Sequence, residues 1–243
     1  MKVQLANNEP STASTGTYVS YLRIEDNCQT QNIETALAEK KLQLAVKRIF
    51  DIVLSSVLIL MLSPILILVA LIIALTSKGG ILYSNERVGL HGINFKCYKF
   101  RSMVSDQSRK AADHSAAVAG QEKGILHKVK NDSRITWIGK IIRKTSIDEL
   151  PQLFNVLKGD MSVVGPRPLV PFMLKHLPEF KHTRSLMRPG ITGLWQIRDR
   201  VNNTSAEFMI KHDTEYVKDY SLMLDIKILI KTPVVVLTGE GAY

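Results

Sequence analysis

A run of 24 residues without a charged side chain, 52–75, restricts the fold of this chain more than any other part of the sequence. As one straight helix this run would reach roughly 36 Å, which is enough to cross the hydrocarbon of a bilayer. Ser63 and Pro64 divide the run in the middle, and a proline there removes a helical hydrogen bond and pushes on the carbonyl four residues back. The run therefore predicts two half-length helices that meet at a break.

Basic residues flank this run on both sides. Lys47 and Arg48 precede it, and Lys78 and Arg87 follow it. Because basic residues beside membrane segments prefer the cytoplasmic face, both ends of the run are expected on that face. A bent hairpin that enters and leaves the membrane on one side fits both observations. A proline-kinked spanning helix is the alternative, and the residues alone leave the two equally open.

An acidic pair, Asp148 and Glu149, opens a second informative stretch. Ser146 and Glu149 have the spacing of a capping box, and apolar residues follow at helical intervals until Gly159 supplies a stop. Pro151 fits such a helix only in its first turn, so the helix should begin near Asp148. The acidic pair is then either a helix cap with a first-turn charge or two carboxylates placed for chemistry.

A proline-bounded arginine lies shortly after this helix, where residues 165–168 read Gly-Pro-Arg-Pro. The two prolines fix the backbone on both sides of Arg167 and hold its donors in a stiff loop. A stiff guanidinium suits a phosphate, because its planar fork matches two phosphate oxygens. Most single arginines are surface charges, and Arg167 stands out by its context alone.

The charge balance and the metal-ligand inventory limit the classes of partner. A net charge of +10 favours an anionic partner, which could be nucleic acid, a phosphorylated substrate or an acidic lipid surface. The basic residues surround an acidic pair and are not interleaved with aromatic residues, which argues against nucleic acid. Two distant cysteines and six histidines without metal-ligand spacing support neither a disulfide framework nor a zinc site. Any metal should therefore be held by oxygen.

The 243 residues are enough for one sizeable domain and an appendage, and they divide into three regions. Residues 1–40 are polar and predicted to be mostly disordered, with room for a helix from Ile33 onward; 41–78 form the membrane anchor; 79–243 form one compact domain. The last region is predicted to hold a small β-hairpin or extended pair after Gly80, a polar surface helix or mobile excursion at 105–124, and helices at 137–144, 170–187 and 222–237. The 170–187 helix is either membrane-associated or solvated, and the 222–237 helix is interfacial or packed, because charges interrupt it.

Several of these stretches resemble the signature of the bacterial sugar transferases, which move a hexose-1-phosphate from a UDP-sugar to a polyprenyl phosphate. They are FKCYKFRSM, NDSRIT, IGKIIRKTSIDELPQLFNVLKGDMSVVGPRP and RPGITGLWQI. The match covers most of the chain after Lys47 and is similar to the catalytic domain of undecaprenyl-phosphate galactose and glucose phosphotransferases. It implies a mainly α fold with a small β element, in which a re-entrant helix-break-helix membrane anchor carries one compact cytoplasmic catalytic domain with interfacial amphipathic helices.

The resemblance also implies a role for each matching residue. Asp148 would be the nucleophile that forms a phosphosugar-aspartyl intermediate with loss of UMP, and Glu149 would help to bind Mg²⁺. The polyprenyl phosphate would then attack this intermediate to give a polyprenyl-diphospho-sugar. The basic residues expected around the phosphates are Lys99, Arg143, Arg167 and Arg200.

Two further positions are less regular. Asp225 matches an acidic position near the family's site, and a helix cap or an ion pair is the alternative role. The run Arg198-Asp199-Arg200 departs from the family pattern, in which a glycine commonly precedes the last arginine. This departure puts the backbone shape at Arg200 in question.

The implied partners are a UDP-sugar, a polyprenyl phosphate and membrane lipid, without nucleic acid, and a homo-oligomer is compatible with them. The implied location is the bacterial inner membrane, with the catalytic domain facing the cytoplasm, in the first membrane step of exopolysaccharide, capsule or O-antigen synthesis. A competing hypothesis is a non-catalytic peripheral membrane protein whose basic face binds acidic lipid or nucleic acid. It rests on charge alone.

Overall fold

The computed structural model describes residues 27–104, 134–175, 177–198 and 206–238. The predictions made for residues 1–26, for the 105–124 excursion and for Arg200 lie outside these described residues. Within them the chain is mainly helical, with two small two-stranded sheets, so the predicted mainly α fold with a small β element is confirmed.

The N-terminal helix α1 (Asn27–Glu39) begins before the expected start at Ile33. Ile33 and Leu37 are buried in the main hydrophobic core, together with Val156 and Tyr220. The C-terminal part of the polar region therefore packs against the rest of the protein, because these two apolar residues are four apart and share one face of the helix.

The long helix α2 (Lys41–Thr76) passes through Pro64 without interruption, so the break expected between Ser63 and Pro64 is not seen in the secondary structure. Pro64 has no N–H to donate to the carbonyl of Leu60. The hydroxyl of Ser63 donates to that carbonyl instead, at 2.8 Å. The carbonyl that the proline leaves free is thus satisfied locally, and the helix continues past it.

Both ends of α2 are attached to the polar part of the chain. Near its start, Lys47 donates to the carbonyl of Val164 at 2.9 Å, and Asp51 accepts from the amide of Val163 at 3.0 Å. Just after its end, Arg101 donates to the carbonyls of Ser77 and Lys78. Between these attachments the helix carries exposed apolar side chains, of which Leu60 is 77% and Met61 71% exposed.

Within the described part of the chain, α2 is the helix long and apolar enough to cross a membrane. Leu66, Val69 and Ile73 lie on its inner face in a separate apolar cluster. The other side of the helix remains uncovered by the described residues. An uncovered apolar helix face of this kind is expected where a helix is inserted in a membrane, because lipid then covers it.

The predicted β-hairpin is confirmed. Strands β1 (Leu82–Val88) and β2 (Asn94–Phe100) pair antiparallel, with Tyr83 opposite Lys99, Asn85 opposite Cys97 and Arg87 opposite Phe95. Because side chains alternate between the two faces of a strand, these six odd-numbered residues share one face of the hairpin.

Two short helices frame the acidic pair. Helix α3 (Trp137–Lys144) is the predicted amphipathic helix, and its cap is the Thr136 hydroxyl, which accepts from the Gly139 amide at 2.9 Å. Helix α4 (Gln152–Lys158) ends at Gly159, whose φ of 93° is the left-handed C-terminal conformation that the sequence predicted.

A second sheet, not predicted from the sequence, joins β3 (Ser162–Val164) and β4 (Gly190–Thr192) in parallel. The pairing brings Gly190 so close to Gly165 that a Cβ on Gly190 would lie 2.1 Å from the Gly165 amide nitrogen. Three-residue strands are too short to show a period-2 pattern, and the pairing depends on this backbone approach.

Four helices complete the described chain: α5 (Pro178–Arg184), α6 (Leu194–Arg198), α7 (Ala206–Lys218) and α8 (Leu222–Thr238). The single helix expected at 170–187 is wrong, because a 3₁₀ turn at Pro171–Leu174 and α5 stand in its place. Pro178 disfavours helical backbone in Leu177, which has a φ of −129°. Helix α8 packs one face, with Asp225 and Ile228 buried, and leaves Met223, Ile230 and Val234 exposed, so both the packed and the interfacial alternatives predicted for it stay open.

Candidate active site

A left-handed residue and a short 3₁₀ turn position the acidic pair. Ser146 has a φ of 57°, and the turn Ile147–Glu149 follows it. Ile147 and Leu150, on either side of the two acids, pack against the apolar cluster that contains Ile142. The pair is thereby held between two apolar anchors.

The predicted capping box is wrong. The Ser146 side chain makes no capping hydrogen bond, and the α-helix begins only at Gln152, after Pro151. The Glu149 carboxylate instead accepts from the ammonium of Lys99, on β2, at 2.6 Å. A nearby cation competes better for this carboxylate than a backbone amide does, since a hydrogen bond between charged groups is the stronger one.

Asp148 is only 9% exposed, and its carboxyl has a pKa raised to about 6. Burial is the main cause, and the charge of neighbouring Glu149 adds to it, whereas Lys99 and Arg143 pull the pKa down. At pH 7 the carboxyl is still ionised in roughly nine molecules of ten, yet it is more basic than an ordinary aspartate. This combination suits a nucleophile that attacks phosphorus near neutral pH.

Two of the cations predicted for the site lie close to this pair, and a third lies in the proline-bounded loop. Lys99 binds Glu149, and Arg143, in the last turn of α3, is near enough to lower the pKa of Asp148. Arg167 lies in its proline-bounded loop, with its guanidinium 5.1 Å from the centre of the Trp195 ring. Arg200 lies outside the described residues.

The Arg167 loop has a support that the sequence did not reveal. The amide of Arg167 donates to the Asp213 carboxylate at 3.4 Å, and its carbonyl accepts from Arg184. Arg184 and Asp213 form an ion pair at 3.1 Å, and their side chains are only 3% and 2% exposed. Burial raises the pKa of Asp213 to about 6, although Arg184 opposes this shift. The loop is therefore fixed from beneath by a buried ion pair as well as by its prolines.

Arg87 is a site residue that sequence reasoning missed. Its Nη1 donates to the carbonyl of Pro168 at 3.2 Å, and its Nε donates to the Asn85 side chain at 3.2 Å. Burial lowers its pKa, and the charges that act on it include those of Arg167 and Glu149. The signal that was available is the hairpin parity, which puts residue 87 on the same face as residue 99.

Asp225 lies elsewhere. Its carboxylate accepts from Lys47 Nζ at 2.7 Å and from the Tyr216 hydroxyl at 2.7 Å, and it is 5% exposed. Asp148 is not among the groups that shift its pKa, which burial raises and the Lys47 charge lowers. The ion-pair alternative is therefore the one observed.

The residues present fit a magnesium ion of a particular kind. Within the described residues no group of three His, Cys, Asp or Glu side chains could hold a metal. Asp148 and Glu149 offer two adjacent carboxylates, which is the donor set for a Mg²⁺ ion that takes most of its ligands from phosphate oxygens and water. The ammonium of Lys99 would share or compete for the Glu149 carboxylate.

Comparisons with known proteins identify the family of this chain. The model of the bacterial sugar transferase family matches residues 42–239. Undecaprenyl-phosphate galactose phosphotransferase of Salmonella typhimurium is 47% identical over 202 residues, which cover 81% of this chain and 41% of that protein. The exopolysaccharide production protein ExoY of Sinorhizobium fredii is 38% identical over 199 residues, 81% of this chain and 88% of that protein.

A third relative is the UDP-glucose:undecaprenyl-phosphate glucose-1-phosphate transferase of Klebsiella pneumoniae, 37% identical over 207 residues, which are 81% of this chain and 41% of the relative. The chain thus spans about two fifths of the length of several curated relatives it matches, and most of the length of ExoY.

Proposed function

The chain belongs to the bacterial sugar transferase family, and from this premise we propose that it transfers a hexose-1-phosphate from a UDP-sugar to a polyprenyl phosphate, yielding a polyprenyl-diphospho-sugar and UMP. The observation that carries the proposal is the buried Asp148 carboxylate, whose pKa is about 6, beside the cations Lys99 and Arg143 on two different elements. The names of the relatives supply the substrate classes.

The first step is attack by a carboxylate oxygen of Asp148 on the phosphorus that bears the sugar. A bond forms between this oxygen and phosphorus, the bond from phosphorus to the bridging oxygen breaks, and UMP leaves with the electron pair. In the second step an oxygen of the polyprenyl phosphate attacks the same phosphorus and releases the Asp148 carboxylate. Splitting one transfer into two displacements is the general advantage of a covalent intermediate.

The surrounding cations offset the charge that each step places near phosphorus. Lys99 and Arg143 act on Asp148 itself, and Arg167 is held in place by the buried pair of Arg184 and Asp213. Preorganised cations of this kind stabilise developing charge without having to reorient during the reaction. When bound, Mg²⁺ at Glu149 would neutralise the diphosphate and make UMP a better leaving group.

We further propose that α2 is a re-entrant anchor in the bacterial inner membrane, with both of its ends on the cytoplasmic side. In support, Arg48, at one end, donates to the carbonyls of Val156 and Leu157, and Arg101 binds the backbone just after the other end. A polar body that is bonded to both ends of an apolar helix places both ends on its own side of the membrane.

The experiment that tests the activity is UMP release by the full chain in detergent, with Mg²⁺, a polyprenyl phosphate and a panel of UDP-sugars. We expect release with one or a few of these sugars and none with Asp148→Asn. If the folded wild-type protein released no UMP from any sugar, the activity would be wrong, and the non-catalytic lipid-binding hypothesis would replace it.

Labelling of introduced cysteines in intact cells tests the anchor. Gln43→Cys and Lys78→Cys mark the two ends of α2, in a background without the native cysteines. Both should be protected from an impermeant external reagent. Labelling of one and protection of the other would show a spanning helix instead.

A further inference from the structure

Two guanidinium groups at the site have no carboxylate partner among the described residues. Arg87 donates to a carbonyl and an amide oxygen, and Arg167 lies over the Trp195 ring. Neither is in an ion pair, whereas Lys99, Arg184 and Lys47 each bind an acid. Buried charges are normally paired, because the loss of hydration is otherwise uncompensated.

The two guanidiniums also repel each other. Arg167 is one of the charges that lower the pKa of Arg87, after the larger effect of burial. The hydrogen bond from Arg87 to the Pro168 carbonyl, in the loop that carries Arg167, holds the two guanidinium groups close in spite of this repulsion. A pair of like charges in a partly buried position indicates a place for an anion that both would bind.

By its contacts Arg87 belongs with Arg167, because its Nη1 donates to the carbonyl of the next residue, Pro168. Lys99 and Arg143 are the cations that act most strongly on Asp148. Glu149 acts on Arg87 as well as on Asp148. Because Lys99 is paired with Glu149 and Arg143 acts on Asp148, Arg87 and Arg167 are the cations left among the described residues for a further phosphate.

We propose that Arg87 and Arg167 together form a binding site for the phosphate that is not attacked, the one that stays with the nucleoside and leaves as UMP. This assignment rests on the proposed function, because that function defines which phosphate leaves. The planar forks of the two arginines would bind different oxygens of this one group. The Pro168 carbonyl fixes the Arg87 fork, so the hairpin and the proline loop bind the phosphate as one unit.

The test is direct binding of UMP to the full chain in detergent, measured by equilibrium dialysis without sugar donor. Loss of one charged partner should raise the Kd for UMP between about tenfold and a hundredfold in Arg87→Gln. Arg87→Lys should recover little of this loss, because a point charge lacks the fork. The matched control is Lys96→Gln, on the opposite face of the same hairpin, which should bind UMP like wild type.

Two further comparisons complete the test. One distinguishes a site for the UMP phosphate from a site for the lipid phosphate, and the other distinguishes failure of this site from failure of the proposed function. A loss of binding of a short-chain polyprenyl phosphate in Arg87→Gln without a loss for UMP would overturn the assignment. An unchanged Kd for UMP in Arg87→Gln, with normal turnover in wild type, would overturn this site alone. Arg87-dependent UMP binding by a wild type that releases no UMP from any UDP-sugar would leave the site standing and remove the proposed function.

A measurement on the wild-type protein covers the case in which Arg87→Gln does not fold. An arginine-specific dicarbonyl reagent should modify Arg87, located by peptide mass, and UMP should protect it. Modification of Arg87 that is equally fast with and without saturating UMP would show that no phosphate binds there.

Discussion

Two buried aspartates, Asp148 and Asp225, differ in how their carboxylates are satisfied. They are 9% and 5% exposed, and burial raises the pKa of both. Asp225 has one oxygen bound by Lys47 and the other by the Tyr216 hydroxyl. No described side chain donates a hydrogen bond to Asp148. Its carboxylate accepts from its own backbone amide, and its immediate neighbour is a second acid.

Burial alone therefore does not mark a reactive group. Asp225 is saturated, and its bonds join α2, α7 and α8 into one body. Asp148 keeps acceptor capacity for an incoming phosphorus, at a cost to stability that the surrounding apolar anchors offset. Sequence resemblance put both residues near one site, and the bonding pattern separates a structural acid, Asp225, from the acid for which we propose chemistry, Asp148.

The largest effect should come from neutralising each acid in turn. Asp148→Asn removes the nucleophilic charge and should lower turnover at least about a thousandfold. Asp225→Asn should leave turnover per folded molecule within about threefold, since it acts only on the fold. UMP release normalised to folded protein measures both, and equal losses in the two variants would erase the difference drawn between them.

Stability should respond in the opposite order. The raised pKa means that folded Asp148 binds a proton more tightly than the unfolded chain does, so its charge destabilises the fold as pH rises from about 4 to 6 and above. Asp148→Asn should therefore raise the unfolding free energy at pH 7.5 by about 2 kcal/mol. Lys47→Met should lower it by about 3–5 kcal/mol, because it leaves Asp225 buried and unpaired.

The control for Lys47→Met is Lys41→Met, an exposed lysine on the same helix, which should change stability by less than about 0.5 kcal/mol. Denaturant unfolding in detergent measures all three variants. A double variant, Lys47→Met with Asp225→Leu, should recover part of the loss, and strict additivity of the single effects would show that the pair is not coupled.

A smaller effect on turnover is expected at the arginine of the proline loop. Arg167→Ala should lower kcat/KM about a hundredfold, since the loop holds its charge at the phosphates. Arg198→Ala, which removes an exposed ion pair with Glu215, should change it by less than about twofold. Equal kcat/KM values for the two variants would show that Arg167 is a surface charge.

The smallest effect should be a shift of the pH profile. Because Asp148 must be ionised to attack, kcat/KM should fall as pH drops through about 6. Glu149→Gln removes a charge that raises this pKa and should move the acid limb to lower pH, and Lys99→Gln should move it to higher pH. An acid limb that stays in place in both variants would mean that another group controls it.

The sequence predicted those parts of the fold whose signals are local. Helix α3, the hairpin and the stop at Gly159 depend on residues within a few positions of each other, and they are confirmed. The capping box failed because Lys99, 50 residues away in sequence, binds Glu149. The parallel sheet and the support beneath Arg167 join distant segments, and no spacing along the chain encodes them.

The candidate site divides in the same way. Asp148, Glu149 and Lys99 were predicted because each lies in one of two contiguous motifs, YKFRSM and SIDELP, and the structure brings them together. Arg87 was missed because its contacts with the proline loop cross 81 residues of sequence. Only the register of the hairpin shows that it faces the same side as Lys99.

The attachment of α2 at both ends has a mechanical consequence. A helix attached at one end can change its tilt freely. Helix α2 is bonded to the rest of the protein by Arg48 near its start and by Arg101 just after its end, so its tilt cannot change unless the whole protein turns with it. Helix α4 lies against α2 and directly follows the acidic turn. On the proposed anchoring, the helix therefore sets the orientation of the carboxylates relative to the bilayer plane, and a lipid partner reaches them by lateral diffusion.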